Sequence, residues 1–363
     1  AYFDLGEYSA AEPHLQKALE LYRKHQGNDH PNTLQTILQL GKLVLEMDQL
    51  AEAEQLLTEA AQGYQRVLGA EHRDTLRSQT SLAFCYQEQG ARLGDEQKTE
   101  TARVEYLRLL DTHQRLFGAD DPDSLEVLNA LAMLYRFLGS DPNNNRMLDN
   151  AEETVLQVLQ LSEHLEDSHP LRLKYLSNLA LVASDKLEFD RALAIREKVL
   201  AGCRRGFGDQ HPNTARAMDG VASMYAQTNK MDEAERLYLA SLDIRRQHFG
   251  NDHTVTQHAV FSIAQFYYNS GKWDKAEVYY RERLERNRRL QGENSINTHL
   301  ASRDLALVYL NMGRNTDAEK LLDDAIEGLK KYKPDDDPIL VLTREYQADL
   351  FMELGRYPEA LAI

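Results

Sequence analysis

The strongest constraint on this chain is internal repetition, because a fixed period of about 20–50 residues makes a long sequence a stack of one supersecondary unit. An alanine that follows an acidic or polar pair recurs at Ala11, Ala53, Ala102, Ala151, Ala192, Ala234, Ala276, Ala318 and Ala360, at intervals of 42, 49, 49, 41, 42, 42, 42 and 42. A second marker is the turn ahead of the partner helix. It reads DHPNT at Pro31, DDPDS at Pro122, SHPLR at Pro170, QHPNT at Pro212 and DDPIL at Pro338, with Arg73, Thr254 and Ile296 in the same slot. Its intervals are 42, 49, 48, 42, 42, 42 and 42, so both markers put two seven-residue insertions at the same points.

Ten residues beyond each turn marker stand Gly41, Ala83, Ala132, Ala180, Ala222, Ala264, Ala306 and Ala348, all small. Three residues later come Val44, Tyr86, Tyr135, Ala183, Tyr225, Tyr267, Tyr309 and Phe351, mostly aromatic. A small residue at a fixed helical position lets two helices approach closely, and a ring one turn away fills the space beside them. Apolar residues recur every three to four positions and no alternating run is long enough for a strand. Each unit therefore reads as an A helix with Pro at its first turn, a short connection often marked by glycine (Gly6, Gly271, Gly313, Gly355), and a B helix beginning near the alanine. Neither helix can bury its apolar face alone, so stacked neighbours must share one core.

At this point the residues resemble a family. LALVYLNMGRNTDAEKLLDDAI looks like a tetratricopeptide repeat (TPR), and HPNT with DEAERLYLASLDIRRQHFGNDH over a 42-residue unit is similar to the kinesin-light-chain-like subclass. The implied fold is all-α, a right-handed superhelical TPR solenoid of antiparallel helix pairs. A single array over 1–363 is expected: a partial repeat 1–28, repeats starting near 31, 73, 122, 170, 212, 254 and 296, and a partial final repeat 338–363. HEAT and armadillo units share the length but lack the small-residue and aromatic code.

Composition narrows the function. With 58 Asp+Glu against 42 Lys+Arg the net charge is -16, which disfavours nucleic acid as main partner, since phosphate binding needs clustered Lys and Arg. No apolar run approaches the roughly 18 residues of a membrane span, and no secretory signal opens the chain. Two cysteines, Cys85 and Cys203, are too few for a disulfide framework, and the chain is read as cytoplasmic. Cys85 is expected to be a buried small hydrophobe and Cys203, near a B-helix end, to be exposed. His30, His72, His169, His211 and His253 follow the repeat, as a helix-start device would and a metal site would not. The run Asp335 to Asp337 ahead of Pro338 reads as capping. No phosphate loop, nucleophile elbow, kinase signature or dinucleotide fingerprint is present, so no catalytic residue, cofactor or metal is expected and the chain reads as a non-enzyme.

The resemblance also implies a ligand surface, because in tetratricopeptide proteins the A helices line the concave face. Carried onto this sequence, that stripe falls four, seven, eleven and fourteen residues after each turn marker. It contains six basic residues, Lys42, Arg77, Arg136, Lys174, Arg216 and Arg303, against Glu126, Asp219, Glu345 and Asp349. Phe84, Asn129, Met133, Ser177, Phe261 and Tyr268 lie between them, and Asn178 is adjacent. Kinesin-light-chain-like members hold extended acidic and aromatic peptides with Asn and basic residues at such positions. Asn129 and Asn178 match that pattern, whereas Leu38, Thr80, Asp219 and Phe261 depart from it. The expected partner is a protein or an acidic, partly apolar peptide.

The insertions, 90–100 and 140–148, are expected as two loops emerging on one edge. The chain has no initiator Met and stops at EALAI, which reads as a piece of a longer polypeptide whose open solenoid ends would self-associate. The leading function is an interaction scaffold. The alternative is a regulatory or sensor arm of a larger signalling enzyme, a kinase, nucleotide-binding ATPase or caspase-like protease.

Overall fold

Among the described residues, seven of the A helices begin with the same small hydrogen-bonded box, and the one capped by Ser295 lacks the side-chain bond. The imidazole Nδ1 of His30, His72, His169, His211 and His253 accepts from the backbone N–H two residues on, at 3.1 to 3.3 Å. Asp121 and Asp337 do the same with a carboxylate. The N-cap side chain thereby satisfies one of the orphan donors of the first helical turn. Three residues after the cap, the buried hydroxyls of Thr33, Thr75, Ser124 and Thr298 donate to the carbonyls of Gly27, Gly69, Gly118 and Gly292, at 2.7 to 2.8 Å. HPNT is thus a joint between one B helix and the next A helix.

The computed structural model describes residues 8–141, 144 and 146–363. Gly6, the start of the partial repeat 1–28, and residues 142, 143 and 145 of the second insertion lie outside the described residues. The described residues form helices and no strand, in two compact units, Ala1–Gly208 and Asp209–Ile363. In the first, the A helices are α2 (Pro31–Glu46), α4 (Arg73–Leu93), α6 (Pro122–Leu138) and α8 (Pro170–Asp185). The B helices are α1 (Tyr8–Gln26), α3 (Leu50–Leu68), α5 (Glu96–Phe117), α7 (Arg146–Leu161) and α9 (Phe189–Phe207). In the second, A helices α10 (Pro212–Gln227), α12 (Thr254–Asn269), α14 (Ile296–Asn311) and α16 (Pro338–Glu353) alternate with α11 (Met231–Phe249), α13 (Trp273–Gln291), α15 (Asn315–Leu329) and α17 (Tyr357–Ala360). Within each unit a helix packs chiefly on its predecessor and successor, as a one-dimensional stack requires.

The small-residue code explains the close packing. Ala83, Ala132, Ala180, Ala222, Ala264 and Ala306 are buried, as are the B-helix alanines Ala53, Ala102, Ala151, Ala192, Ala234, Ala276 and Ala318. At Gly41 even a methyl group would lie 2.9 Å from Leu57, so the approach of α2 to α3 depends on its absence. The A-to-B connection places one residue in the left-handed region: Gly271, Gly313 and Gly355, but also Asp48, Leu187 and Asn229, with φ between 61° and 72°. Glycine enters that region without steric cost, whereas Leu187 does not.

Two expectations are corrected. The first insertion is not a loop: α4 runs on to Leu93 and α5 starts at Glu96, so the added residues lengthen both helices and leave Gly94 and Asp95 as the connection. Gly90 is buried at this tip against Thr99, which keeps the extended hairpin closed. Cys203 is buried, not exposed, at 5% accessibility. It stands eleven residues after Ala192, a position that also buries Tyr64, His113, Ser162, Arg245, Asn287 and Leu329. Cys85 is buried as expected, and burial pushes its thiol up to about 12, so it stays protonated.

Candidate functional site

In the unit Ala1–Gly208 the stripe positions of three successive A helices open onto one cavity of about 890 Å³. Its walls are Gln35, Leu38, Lys42 and Leu45 from α2, Arg77, Thr80 and Phe84 from α4, and Glu126 from α6. The floor comes from the B helices, through Tyr64 and Leu68 of α3 and Tyr106 and His113 of α5. Tyr64, Tyr106 and His113, four or eleven residues after a B-helix alanine, thus join the lining, and the A-helix stripe does not include them. Counting from the alanines would have found them.

Electrostatics changes the picture of a basic stripe. Arg77 Nε bonds Asp123 at 2.8 Å, Arg136 bonds Asp185 at 2.6 Å, and Lys174 bonds Glu126 at 2.8 Å. Each partner lies on the next or preceding A helix, 46 to 49 residues away. Two of them, Asp123 and Asp185, lie off the stripe, so a tally along the stripe leaves out their charges. Among the described residues Lys42 has no carboxylate within ion-pair distance. Water reaches it, yet the cavity walls strip much of its solvation and pull its ammonium below the ordinary lysine value; Glu126 opposes the shift and Arg77 adds to it. His113 is fully buried, and neither ring nitrogen has a hydrogen-bond partner. Burial lowers its pKa, against the pull of Asp123 and Asp121 and with the push of Arg73 and Arg77. The cavity therefore offers one cation without an ion-pair partner among the described residues, between apolar and aromatic walls, with the His113 ring sealed behind its floor.

The other expected site residues are placed as follows. Asn129 is buried and its Oδ1 accepts from Asn178 Nδ2 at 2.7 Å, so the two amides of α6 and α8 hold each other. Met133 packs on the cluster of Ala132, Val155 and Leu179. Ser177 donates back to the Leu173 carbonyl at 2.7 Å. In the unit Asp209–Ile363, Arg216 is exposed, Arg303 bonds its neighbour Asp304 at 2.8 Å, and Tyr268 accepts from Asn311 at 3.0 Å. Phe261 lies 4.5 Å beneath the guanidinium of Arg283.

Among the described residues no group of three or more His, Cys, Asp or Glu could hold a metal ion, and no helix is long and apolar enough to cross a membrane. The sequence pattern described as "Tetratricopeptide repeat" matches residues 1–64, 36–92, 176–247 and 256–331, more than half of the chain. The chain belongs to the tetratricopeptide repeat family. No curated protein matches it.

Solved tetratricopeptide structures share the fold. The apo form of the quorum sensor NprR from B. thuringiensis is 15% identical over 99% of this chain and 95% of its own, with a TM-score of 0.58. A Signal Transduction ATPase with Numerous Domains protein with a tetratricopeptide repeat sensor, from Pyrococcus horikoshii, is 15% identical over 96% of this chain, with a TM-score of 0.57. The match spans only 51% of that protein. BtubC (BKLC) from P. vanneervenii is 19% identical over 66% of this chain and 95% of its own, at 0.53.

Proposed function

We propose that this tetratricopeptide chain is a non-enzymatic, cytoplasmic interaction module that holds a peptide segment of a partner protein across α2, α4 and α6, within one repeat array. The observation that carries the reading is the shared cavity: three A helices present the same register to one space. Gln35, Thr80 and Ser81 can bond a peptide backbone there, and Leu38, Leu45, Leu68 and Phe84 can cover apolar side chains. The carboxylates Glu46, Asp74, Asp123 and Glu126 outnumber Lys42 and Arg77 along the lining. An acidic peptide is therefore favoured at one point only, where its carboxylate meets Lys42. The rest of the segment is apolar or aromatic.

A peptide array screened with the full chain tests this. The selected sequences carry one acidic residue near apolar ones, and Lys42→Glu and Phe84→Asp each weaken their binding at least ten-fold. Selected peptides that bind both variants as well as the parent would reject the cavity as the site.

A second reading, a sensor arm of a larger signalling enzyme, is supported by the match of almost all of this chain to half of a protein described as an ATPase with a tetratricopeptide repeat sensor. The gene sequence on either side of the segment decides it. An enzyme signature there favours the arm, and its absence favours the free-standing module.

A further inference from the structure

The floor of the cavity in the unit Ala1–Gly208 holds a polar group that the A-helix stripe does not contain. Tyr64 of α3 is 6% accessible and lines the cavity, and among the described residues its hydroxyl has no hydrogen-bond partner. Its neighbours on the floor differ. The Tyr106 hydroxyl is spent on Gln87 Oε1 at 3.3 Å, and both nitrogens of His113 are sealed from solvent. The Tyr64 hydroxyl is not sealed, so a ligand in the cavity can reach it. A phenol this deeply placed ordinarily finds a partner, because it gives up most of its water on folding.

Helix register fixes where it stands. A methyl added at Gly63 would run into Leu34 and one at Gly41 into Leu57, so α2 and α3 run antiparallel with Tyr64 level with Leu34. On the other side the Thr75 hydroxyl bonds the Gly69 carbonyl at 2.8 Å, which sets the end of α3 beside the first turn of α4. Tyr64 therefore belongs to the end of the cavity lined by Gln35 and Asp74. Lys42 lies eight residues on from Leu34, about 12 Å farther along α2 by helical rise. Loss of solvation, and after it the Asp74 carboxylate, raises the Tyr64 pKa, so the phenol keeps its proton at neutral pH and needs an acceptor. A cationic ligand group has none to offer. An anionic one meets three carboxylates, Asp74, Asp121 and Asp123, against the two guanidinium groups of Arg73 and Arg77 that pair with them, which leaves one negative charge. A neutral acceptor fits.

We propose that this end of the cavity binds the side-chain amide of a glutamine or asparagine in the partner peptide, while Lys42 holds the acidic residue. The inference rests on the reading of the cavity as a peptide site and sets one position of that segment apart from its apolar and aromatic ones. The amide oxygen accepts from the Tyr64 hydroxyl, and the amide NH2 is a donor for the Asp74 carboxylate or the Gln35 oxygen at the same end. The separation of Tyr64 from Lys42 exceeds one side chain, whereas successive side chains of an extended peptide leave it on opposite sides. The acidic residue and the amide are therefore neighbours in the peptide or stand three apart.

The test uses the full chain and nonapeptides of leucine, phenylalanine and alanine with one central glutamate, in which the residue beside it, or three away, is glutamine, leucine, glutamate or lysine. The glutamine peptide is expected to bind about five-fold tighter than its leucine twin, the worth of one neutral hydrogen bond, and tighter than the glutamate and lysine twins. Tyr64→Phe, which removes only the hydroxyl, weakens the glutamine peptide until it equals its leucine twin; a merely structural role for Tyr64 would weaken both alike and keep their ratio. Glutamine and leucine twins that bind the parent chain equally would overturn the proposal, and so would a glutamine preference that survives Tyr64→Phe, or a lysine or glutamate twin that binds tighter. The comparison on the parent chain needs no substitution and holds whether or not a variant folds. Lys42→Glu weakens both twins and keeps their ratio. Twins that depend on Lys42 but bind equally show that the amide inference alone has failed. Twins that do not bind, or are indifferent to Lys42→Glu and Phe84→Asp, show that the cavity reading has failed and the amide inference with it.

Discussion

The phenol of Tyr267, fully enclosed on α12, donates to the carboxylate of Glu235 on α11 at 3.0 Å. Lys272 and Lys275, at the start of α13, bind the same carboxylate at 2.8 and 2.5 Å, and the Lys275 ammonium lies 5.2 Å from the Tyr267 ring centre. One repeat later Glu277, Tyr309 and Arg314 take the same places, and then Glu319, Phe351 and Arg356. The aromatic of the helix code is thus both a space filler and a platform for a cation that ties three consecutive helices together.

Removing only the hydroxyl isolates its part. Tyr267→Phe leaves the ring and deprives Glu235 of one donor, at a cost of about 1 kcal/mol. Urea unfolding should give a lower midpoint with an unchanged slope. Burial alone would raise the Glu235 pKa, but bonds from Lys272, Lys275 and Tyr267 outweigh it and hold the carboxyl at about 2. Its contribution to stability is therefore complete above the ordinary value of 4.5 and is lost as the pH falls toward 2.

Leu187 sits at φ 62° with 72% of its surface exposed, at a connection where three other repeats use glycine. Leu187→Gly relieves a left-handed strain of about 1–2 kcal/mol and gives back a smaller unfolded-state entropy term. The expected net gain is about 0.5–1 kcal/mol, read as a higher melting temperature. A lower one would mean that the leucine makes a contact worth more than the strain.

Two buried histidines set an acid limit on stability. Burial lowers the pKa of His299, with Lys331 adding to the effect and Asp324, Glu293 and a backbone bond opposing it; His113 is lowered in the same direction. Above pH 6.5 both rings are neutral, folded or unfolded. As the pH falls below that value the unfolded chain takes up protons first, so stability declines until the folded values are passed. Each ring contributes a slope of up to about 1.4 kcal/mol per pH unit. His113→Gln should remove one ring's share of the decline between pH 6.5 and 5, measured by denaturant titration at each pH.

Gly328 on α15 faces the His299 ring so closely that an added methyl would lie 2.0 Å from it. Gly328→Ala gains about 1 kcal/mol of helix propensity but forces the buried ring aside, and overpacking of this kind costs about 1–3 kcal/mol. A net loss is expected by calorimetry, and His299→Ala in the same chain should restore part of it.

Period and register were legible in the sequence because every repeat solves the same packing problem with the same residues. The cap histidines, the buried alanines and the A-helix face all follow from counting. The state of the charged groups does not. Arg77 has Asp74 at 3.8 Å on its own helix, but the fold also brings Asp123 beside it from the next A helix at 2.8 Å. Asn129 looks available until Asn178 is found bonded to it. The buried B-helix position of His113, Cys203 and Arg245 was also countable, but it mixes Tyr, His, Ser, Cys, Arg, Asn and Leu and so leaves no compositional trace.

The lengthened hairpin of α4 and α5 shows how such an array can change size. Seven residues are close to two helical turns, with a drift of only about 20°. Shared between the two helices, they add about one turn to each, and the residues below the tip keep the faces they had. Growth in steps of seven is a quiet edit, one that lengthens a spoke without turning the wheel.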